Sequence, residues 1–199
     1  MIINPSSEFW KGKRVLITGH TGFKGSWLSI WLTSMGAKVT GLALEPNTSP
    51  NLFSIAKVEN LIENVFLDIR DYESVVSAVS HARPEIVFHL AAQSLVRPSY
   101  SDPVGTYATN VMGTVHLLDA VRKYGETSVF INVTSDKCYE NFEINRPYKE
   151  SDKLGGYDPY SNSKACSELI TSAFRNSFFQ DTINSNQMAL ASVRAGNVI

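Results

Sequence analysis

A glycine-rich segment near the start of the chain restricts its fold more than any other feature. The run Thr18-Gly19-His20-Thr21-Gly22-Phe23-Lys24-Gly25 follows an apolar stretch at 14–18 and opens an amphipathic stretch at 25–35. Glycines at this spacing allow a tight turn, a close approach of the backbone to a pyrophosphate, and close packing of a helix on a strand. A helix N-terminus also attracts anions through its unpaired N–H groups. We therefore predict a dinucleotide-binding turn in which the cofactor contacts are Gly19, His20, Thr21, Gly22, Phe23 and Gly25.

The glycine spacing is Gly-x-x-Gly-x-x-Gly rather than the more common Gly-x-Gly-x-x-Gly. A glycine-rich turn that binds nothing is therefore the alternative interpretation. The position of the turn, between the first predicted strand and an amphipathic helix, favours nucleotide binding.

Predicted strands and helices alternate along the whole chain, which is the pattern of a parallel sheet covered by helices on both faces. We predict an α/β fold, a doubly wound, Rossmann-like parallel sheet, as one dinucleotide-binding domain over 1–199. The chain stops directly after the last predicted strand, so we expect the substrate-binding part to lie beyond it. Short apolar runs predict strands at 14–18, 38–42, 65–67, 86–90, 129–134 and 191–194. Helices are predicted at 25–35, 71–80, 103–124 and 160–178, and a long polar loop at 140–158.

Two of these helices carry further expectations. In the helix at 25–35, Trp27, Leu28, Trp31 and Leu32 form one stripe, which predicts that this stripe faces the sheet. Asp71 is a candidate N-cap for the helix that follows it.

Composition excludes several classes of protein. Lys and Arg number 18 against 19 Asp and Glu, a net charge of −1, so the electrostatic footprint of a nucleic-acid binder is missing. We see no apolar run near the ~20 residues of a membrane span and no signal peptide at the N-terminus. Two cysteines suit a reducing cytosol, and the four histidines show no metal-ligand spacing. We expect a cytoplasmic protein with no metal, no nucleic-acid partner and no membrane partner.

The predicted ends of the second and third strands bear on the choice of cofactor. Glu45 lies about where an acidic residue would bind the adenosine ribose, although a solvated loop carboxylate is an equal alternative. The sequence holds no Arg between Lys38 and Asp68 for a 2′-phosphate, so NAD is favoured over NADP. Asp68 and Ile69 are candidate contacts of the adenine, and a turn or helix cap is the alternative role of Asp68.

Tyr160 and Lys164 lie four residues apart in a predicted helix, so they are neighbours on one face. The reference pKa of tyrosine is about 10, and positive charge from a lysine and a nicotinamide would favour the phenolate. Tyr160 is then a candidate base for a sugar or alcohol hydroxyl. A surface pair without function is the alternative.

Two strand exits supply further candidates, because ligands of such sheets lie beyond the carboxyl ends of the strands. The fifth predicted strand ends in Ser135, Asp136 and Lys137, which we expect to meet the substrate; an exposed Asp–Lys pair is the alternative. The fourth ends in small residues that allow a cofactor ribose to pass close to the backbone, and His89 within it is a core residue. The predicted cofactor contacts of that exit are Leu90, Ala91, Ala92 and Gln93.

Taken together, the motifs resemble the extended short-chain dehydrogenase/reductases. The resemblance rests on the glycine loop, His89-Leu90-Ala91-Ala92-Gln93, Asn110-Val111-Met112-Gly113-Thr114, Tyr160-x-x-x-Lys164 and Arg194-x-x-Asn197. Within that family, the runs 10–27 and 134–139 are similar to those of the CDP-glucose 4,6-dehydratases. The resemblance covers essentially the whole chain but only about the first half of a family member.

This resemblance implies NAD as cofactor, CDP-glucose as substrate and an internal oxidation, dehydration and reduction that gives CDP-4-keto-6-deoxyglucose. It implies Tyr160 and Lys164 at the 4-hydroxyl and Asp136 as the acid at the 6-oxygen. Lys137 would be the C5 base, where relatives acting on dTDP-glucose or GDP-mannose carry Glu. It also implies a cofactor contact by Asn110 and substrate contacts by Ser135, Arg194 and Asn197.

The same resemblance implies a place in nucleotide-sugar and O-antigen-type polysaccharide biosynthesis, and a homodimer or higher homo-oligomer. The dimer would pair the helices 103–124 and 160–178 with their copies, using Val104, Val115, Ala165 and Phe178. Two rival functions stay open at this point. One is a nucleotide-sugar 4-epimerase on the same scaffold, and the other is a non-catalytic NAD-binding module.

Overall fold

A computed structural model describes residues 6–143, 145–179 and 188–196. Its centre is a sheet of six parallel strands in the order β3-β2-β1-β4-β5-β6. The chain enters at β1, moves outward to β3, and returns to β4 on the other side of β1, which creates a switch point between β1 and β4. The predicted fold class is confirmed. The strands are β1 Arg14–Thr18, β2 Lys38–Ala43, β3 Glu63–Phe66, β4 Ile86–His89, β5 Val129–Val133 and β6 Ala189–Val193.

Helices connect the strands and cover both faces of the sheet. The predicted helix at 103–124 is a continuous helical run, in which a π-helical segment at Ala108–Met112 joins two α-helices. A second π-helical segment, Arg175–Phe179, extends the last helix. The α-helices are α1 Ser7–Trp10, α2 Phe23–Ser34, α3 Leu52–Ile55, α4 Tyr72–Ala82, α5 Val96–Ser101, α6 Pro103–Tyr107, α7 Gly113–Tyr124 and α8 Pro159–Phe174. None of the helices in the described ranges is long and apolar enough to cross a membrane.

Local sequence explains several of these boundaries. The Asp71 carboxylate accepts a hydrogen bond from the Ser74 N–H and caps α4, as predicted. Gly125 ends α7 with a φ of 78°, a left-handed conformation that favours glycine. The described part of the 140–158 loop contains neither a helix nor an extended strand, and its one pairing is an isolated bridge between Tyr139 and Leu154.

The core lies on both faces of the sheet, because side chains of a strand point alternately to opposite sides. In β1, Leu16 joins the larger cluster, which packs under α4 and α7, whereas Val15 and Ile17 join the cluster on the α2 side. All three side chains are buried. A central strand that is apolar on both faces fits a doubly covered sheet.

The prediction for the tryptophans of α2 was wrong. Trp27 and Trp31 are 53% and 51% exposed, and the buried side of α2 is formed largely by Gly25, Ser26 and Ser29. Small residues let the start of the helix approach the sheet closely, and the two serine hydroxyls bond to backbone carbonyl oxygens of His20 and Gly25. The face of small residues therefore packs inward, and the tryptophans face outward.

One residue of the expected dimer face is also corrected. Ala165 is buried in a small cluster with Cys138 and Tyr139, beneath the segment that follows β5. It is therefore not available to a partner subunit. Val104, in contrast, is 78% exposed, and Phe178 is also exposed.

Candidate active site

The candidate site lies at the carboxyl ends of the strands, where the glycine loop, the turn after β5 and the first turns of α8 meet. The Lys164 ammonium donates to the Val133 carbonyl oxygen at 3.4 Å, which joins α8 to the end of β5. The Lys24 ammonium of the glycine loop lies near enough to lower the pKa of Lys164. Three segments far apart in sequence therefore converge at this edge.

The glycine loop lies directly on the exit of β4. A Cβ atom added to Gly19, whose φ is 77°, would lie 2.8 Å from the Ala91 backbone nitrogen. One added to Gly25 would lie 2.2 Å from the Gly19 carbonyl oxygen. These positions therefore require glycine. The N-cap of α2 is Gly22, and no side chain caps the described start of this helix, so its first N–H groups face the loop with no side-chain acceptor.

The other loop residues play different parts. The His20 ring is buried below the loop, with Nε2 2.5 Å from Asn64 Oδ1, and burial lowers its pKa. Its imidazole is therefore used inside the fold, and its carbonyl oxygen accepts from the Ser26 hydroxyl at 2.9 Å. The Thr21 hydroxyl donates to the Leu44 carbonyl oxygen at 2.9 Å, whereas Phe23 is exposed.

The end of β3 holds the two predicted adenine contacts. The Asp68 carboxylate accepts hydrogen bonds from the Arg70 side chain, which holds the pKa of that carboxyl below its usual range. The Ile69 side chain is buried in the core, where a Cβ on Gly113 would lie 2.5 Å from its Cδ1. Ile69 thus has only its backbone to offer, and its carbonyl oxygen already accepts from His116 at 3.0 Å.

The exit of β4 is held by Asn110, which lies in the π-helical segment. The Asn110 amide accepts from the Gln93 N–H at 2.8 Å and donates to the Gln93 carbonyl oxygen and to Ser163 Oγ. The Gln93 side chain bonds in turn to Thr106 Oγ1 and to the backbone of Leu95. These two polar side chains are committed to protein contacts and position the exit. Next to them, Ala91 and Ala92 are partly buried residues whose small side chains leave the backbone approachable.

Tyr160 occupies the first turn of α8 and is buried. Its N–H donates to Ser99 Oγ at 3.1 Å, and its phenol lies beside Ser135 and Asp136. Burial raises the pKa of the phenol, a hydrogen bond with Ser135 lowers it, and the Asp136 charge raises it; the net direction is upward. The fold thus brings Tyr160 and Ser135, two separately predicted site residues, together.

Lys164 follows one helical turn later and is also buried. Burial and the nearby Lys24 ammonium lower the pKa of Lys164 to about 8. An ammonium with a pKa this low exchanges its proton close to neutral pH, which is a common property of lysines in active sites.

The turn after β5 presents the remaining candidates. Ser135 is buried and its Oγ accepts from the Lys137 N–H at 3.2 Å, whereas the Asp136 and Lys137 side chains are exposed. The Asp136 N–H donates to the Ala195 carbonyl oxygen, so the turn is also held by the segment after β6. In the described ranges, burial does not desolvate the Lys137 ammonium.

Arg194 does not extend into an open pocket. Its guanidinium bonds to both carboxylate oxygens of Glu168 at 2.9 and 3.1 Å, and to Tyr139 Oη at 2.8 Å. Arg194 therefore joins the segment after β6 to α8, and its contact with the substrate stays a prediction. Asn197, the other residue of that motif, lies outside the described residues.

Glu168 is a site residue that the sequence analysis missed. It is buried on α8, and it accepts hydrogen bonds from Thr134, Ser192 and Arg194, which join β5, β6 and α8. Burial raises the pKa of Glu168, but the bonds from these three residues outweigh it and hold the carboxyl ionised. Its spacing could have revealed it, since Glu168 lies four residues after Lys164 on a face that is otherwise buried. Among the described residues no cluster of side chains suits a metal ion.

Comparison with known proteins agrees with this geometry. A profile of the family described as GDP-mannose 4,6 dehydratase matches residues 16–198, nearly the whole chain. The chain belongs to this family. As a member of the GDP-mannose 4,6 dehydratase family, it shares its fold with solved nucleotide-sugar enzymes. A UDP-glucose 4-epimerase from Brucella ovis, solved in complex with NAD, superposes with a TM-score of 0.76 at 26% identity, over 92% of this chain and 51% of that one.

Two relatives from the curated proteins are closer in sequence. A CDP-glucose 4,6-dehydratase from Salmonella typhimurium is 58% identical over 96% of this chain and 54% of its own length. A dTDP-glucose 4,6-dehydratase from Xanthomonas campestris is 30% identical, over 86% of this chain and 51% of its own length. The chain therefore spans about half the length of the curated relatives it matches. The resemblance drawn from the motifs is confirmed.

Proposed function

We propose that this chain carries the NAD-binding and catalytic part of a 4,6-dehydratase that converts CDP-glucose to CDP-4-keto-6-deoxyglucose. The observation that carries this proposal is the meeting of Tyr160, Ser135 and buried Lys164 at the edge that also holds the glycine loop. The name of the relative with 58% identity supports CDP-glucose as the substrate. In this proposal residues 1–199 form a single dinucleotide-binding domain.

The residues present fit NAD. Gly19 and Gly25 keep the loop free of side chains, and the first N–H groups of α2 can bind a pyrophosphate. Asp68 and the backbone of Ile69 would lie on the adenosine side, and Glu45 is exposed in the loop after β2. When bound, NAD would supply a reversible acceptor for hydride. The UDP-glucose 4-epimerase from Brucella ovis, which shares this fold, was solved with NAD.

Tyr160 is the group that removes the proton of the sugar 4-hydroxyl, while Ser135 donates a hydrogen bond to the 4-oxygen. Burial raises the pKa of the phenol, so positive charge beside it is needed for it to act near neutral pH. Lys164 supplies such a charge one helical turn away, since below pH 8 its amine is mostly protonated. The two residues therefore act as a pair.

Asp136 and Lys137 carry out the elimination. Once the 4-position is a ketone, the C5 proton is acidic; Lys137 removes it, and Asp136 gives a proton to the departing 6-oxygen, which leaves as water. Both side chains are exposed in the described structure. An ammonium cannot accept a proton, so Lys137 takes the C5 proton only as a neutral amine, a form that desolvation by the bound sugar would favour.

The test is to incubate the protein with CDP-glucose and NAD and to follow the 4-keto product by its absorbance in alkali. We expect Tyr160→Phe to abolish product, whereas Tyr157→Phe, whose ring is 99% exposed, should retain full activity. Asp136→Asn and Lys137→Ala should allow oxidation at C4 but stall elimination, which accumulates reduced cofactor. Full activity of Tyr160→Phe would refute the proposal.

The same assay separates the rival functions. Formation of CDP-galactose instead of a keto sugar would identify a 4-epimerase, the activity that the Brucella ovis structure is named for. If the full-length protein binds NAD by calorimetry but does not turn over CDP-glucose, it is a non-catalytic NAD-binding module.

We further propose a cytoplasmic homodimer that acts in nucleotide-sugar and O-antigen-type polysaccharide biosynthesis. Val104, Leu169 and Phe178 give α6, α8 and the segment after α8 exposed apolar side chains, which a second subunit would bury. Both cysteines are free thiols, which suits a reducing compartment. Light scattering should give the mass of a dimer, and Leu169→Lys should give a monomer; an unchanged mass in the variant would exclude this interface.

A further inference from the structure

His89 is a buried histidine that the proposed reaction does not use. It ends β4 with 2% of its surface exposed, and both ring nitrogens have partners. Nδ1 lies 2.7 Å from Thr18 Oγ1, and Nε2 lies 3.0 Å from Thr114 Oγ1. The ring therefore bridges the end of β1 and helix α7.

The surrounding bonds fix which nitrogen carries the proton. Thr18 Oγ1 lies 3.1 Å from the N–H groups of both Leu90 and Ala91, and the Leu90 N–H also donates to the Thr18 carbonyl oxygen at 3.1 Å. These donors approach the lone pairs of the hydroxyl, which favours donation of its one proton to His89 Nδ1. Nδ1 is then the acceptor, and Nε2 carries the hydrogen that is donated to Thr114.

The hydrogen bonds on the Nε2 side of the His89 ring lead to the same tautomer. The Thr114 hydroxyl donates its own proton to the Asn110 carbonyl oxygen at 2.8 Å, so toward His89 it can only accept. Its second lone pair accepts from Ser167 Oγ at 3.2 Å, and Ser167 accepts in turn from the Asn132 amide at 2.9 Å. In this series of hydrogen bonds, each hydroxyl therefore donates its one proton to a single partner and accepts from the others. Burial and the Lys164 charge lower the pKa of His89 to about 3, which agrees with a neutral ring.

The chain of bonds controls the contact beneath the glycine loop. Thr18 immediately precedes Gly19. Thr18 Oγ1 binds the N–H groups of Leu90 and Ala91, and the backbone of these same two residues packs against Gly19. We propose that His89 is a positioning residue for the cofactor loop, held as the Nε2–H tautomer that orients the Thr18 hydroxyl toward Nδ1. This inference rests on the proposed function, because the loop is assigned to NAD there.

The assignment predicts a particular role for the amides of Leu90 and Ala91. Since Thr18 Oγ1 accepts from both, neither N–H is available to the cofactor. The segment after β4 would then let the cofactor come close to its backbone and small side chains, and these two amides would not donate hydrogen bonds to it. Ser167 extends the same chain to α8, the helix that carries the Tyr–Lys pair.

The first test is direct and needs no cofactor. In ¹⁵N-histidine-labelled protein at pH 6, long-range ¹H–¹⁵N correlation spectra distinguish the two neutral tautomers and the imidazolium. The chain has four histidines, and His89→Gln assigns the signal. We expect His89 to show a protonated Nε2 and an unprotonated Nδ1. The Nδ1–H tautomer or an imidazolium would overturn the proposal.

The second test asks whether the contact matters for the loop. Thr18→Val keeps the shape of the side chain but leaves two amides and Nδ1 without the hydroxyl, whereas Thr18→Ser keeps the hydroxyl. We expect the Kd for NAD, measured by calorimetry, to rise at least about tenfold in Thr18→Val and to stay within about threefold of wild type in Thr18→Ser.

The outcomes are separable. If the wild type binds NAD and a folded Thr18→Val binds it equally well, the positioning role is wrong, although the proposed function survives. If the wild type does not bind NAD, the proposed function is refuted, and the tautomer spectrum alone decides whether His89 orients Thr18. If Thr18→Val does not fold, the tautomer of the wild type and the Kd of Thr18→Ser decide, and loss of binding in Thr18→Ser would overturn the role.

Discussion

Replacing Lys164 by methionine should make the protein more stable while it destroys the proposed activity. Lys164 is buried, and in the described ranges its one hydrogen-bond partner is the Val133 carbonyl oxygen at 3.4 Å. That distance is long for an ammonium, so the lost hydration of the charge is poorly replaced. Methionine has a similar length and no charge, and its flexible thioether can fill the same space.

The size of the effect follows from the pKa of Lys164. Burial and Lys24 lower it from 10.5 to about 8, which corresponds to about 3 kcal/mol of unfavourable free energy for the charged form in the folded state. Between pH 8 and 10.5 the unfolded chain binds this proton and the folded protein does not, so the stability of the wild type rises with pH across that window. Below pH 8 the full cost is present. Lys164→Met should therefore be more stable than wild type by as much as about 3 kcal/mol at pH 7.

Urea unfolding at pH 7 and pH 10.5, without cofactor, checks both the size and the direction. We expect the advantage of Lys164→Met to shrink to a few tenths of a kcal/mol at pH 10.5, because the lysine is then neutral in the folded protein and about half neutral in the unfolded chain. Lys38→Met, at an exposed position at the start of β2, is the matched control and should change stability little at either pH. A variant that is equally destabilised at both pH values would show that Lys164 stabilises the fold by packing, and the reasoning would be wrong.

Two further predictions concern the loop and the buried ion pair. Gly25→Ala places a Cβ 2.2 Å from the Gly19 carbonyl oxygen, so we expect a loss of about 2–3 kcal/mol in urea unfolding and loss of NAD binding. Gly22→Ala, whose Cβ would be 3.4 Å from the same oxygen, should leave the stability in urea nearly unchanged; equal destabilisation by the two substitutions would contradict the steric argument. Glu168→Gln leaves the Arg194 guanidinium without its carboxylate, and we expect about 3 kcal/mol of destabilisation. A thermal midpoint that is unchanged in this variant would show that the pair contributes nothing net.

The parts of the site that the sequence predicts well are those with local geometry. The glycine loop needs only the spacing of three glycines between a strand and a helix, and these elements form where expected. The neighbourhood of Tyr160 and Lys164 follows from helical spacing in the same way. Strand positions were predicted within a few residues, with β6 beginning two residues before its predicted start.

The errors have a common cause. Trp27 and Trp31 lie on an apolar stripe, and hydrophobicity alone predicts that such a stripe faces inward. The fold turns Gly25 and Ser29 inward instead, because close approach of the helix to the sheet favours small residues over large ones. Ala165 was likewise misassigned, since the segment after β5 that covers it is distant in sequence.

Arg194 illustrates a further limit. Its motif indicates a site residue, but its role depends on which carboxylate lies beside it, and Glu168 is 26 residues away on another element. Its charge is neutralised by that carboxylate, and the guanidinium carbon also lies 4.8 Å from the centre of the Tyr139 ring. No spacing rule joins these three residues.

The alternation of strands and helices, the glycine loop and the Tyr–Lys spacing follow from the sequence alone, because each depends on bonds and spacings within one short segment. The strand order, the burial of Lys164 and the two threonine partners of the His89 ring depend on the assembled fold. These depend on how much water each group loses and which distant groups replace it. Burial shifts the protonation of a group and fixes the direction of its hydrogen bonds, and burial is a property of the assembled fold rather than of any one segment.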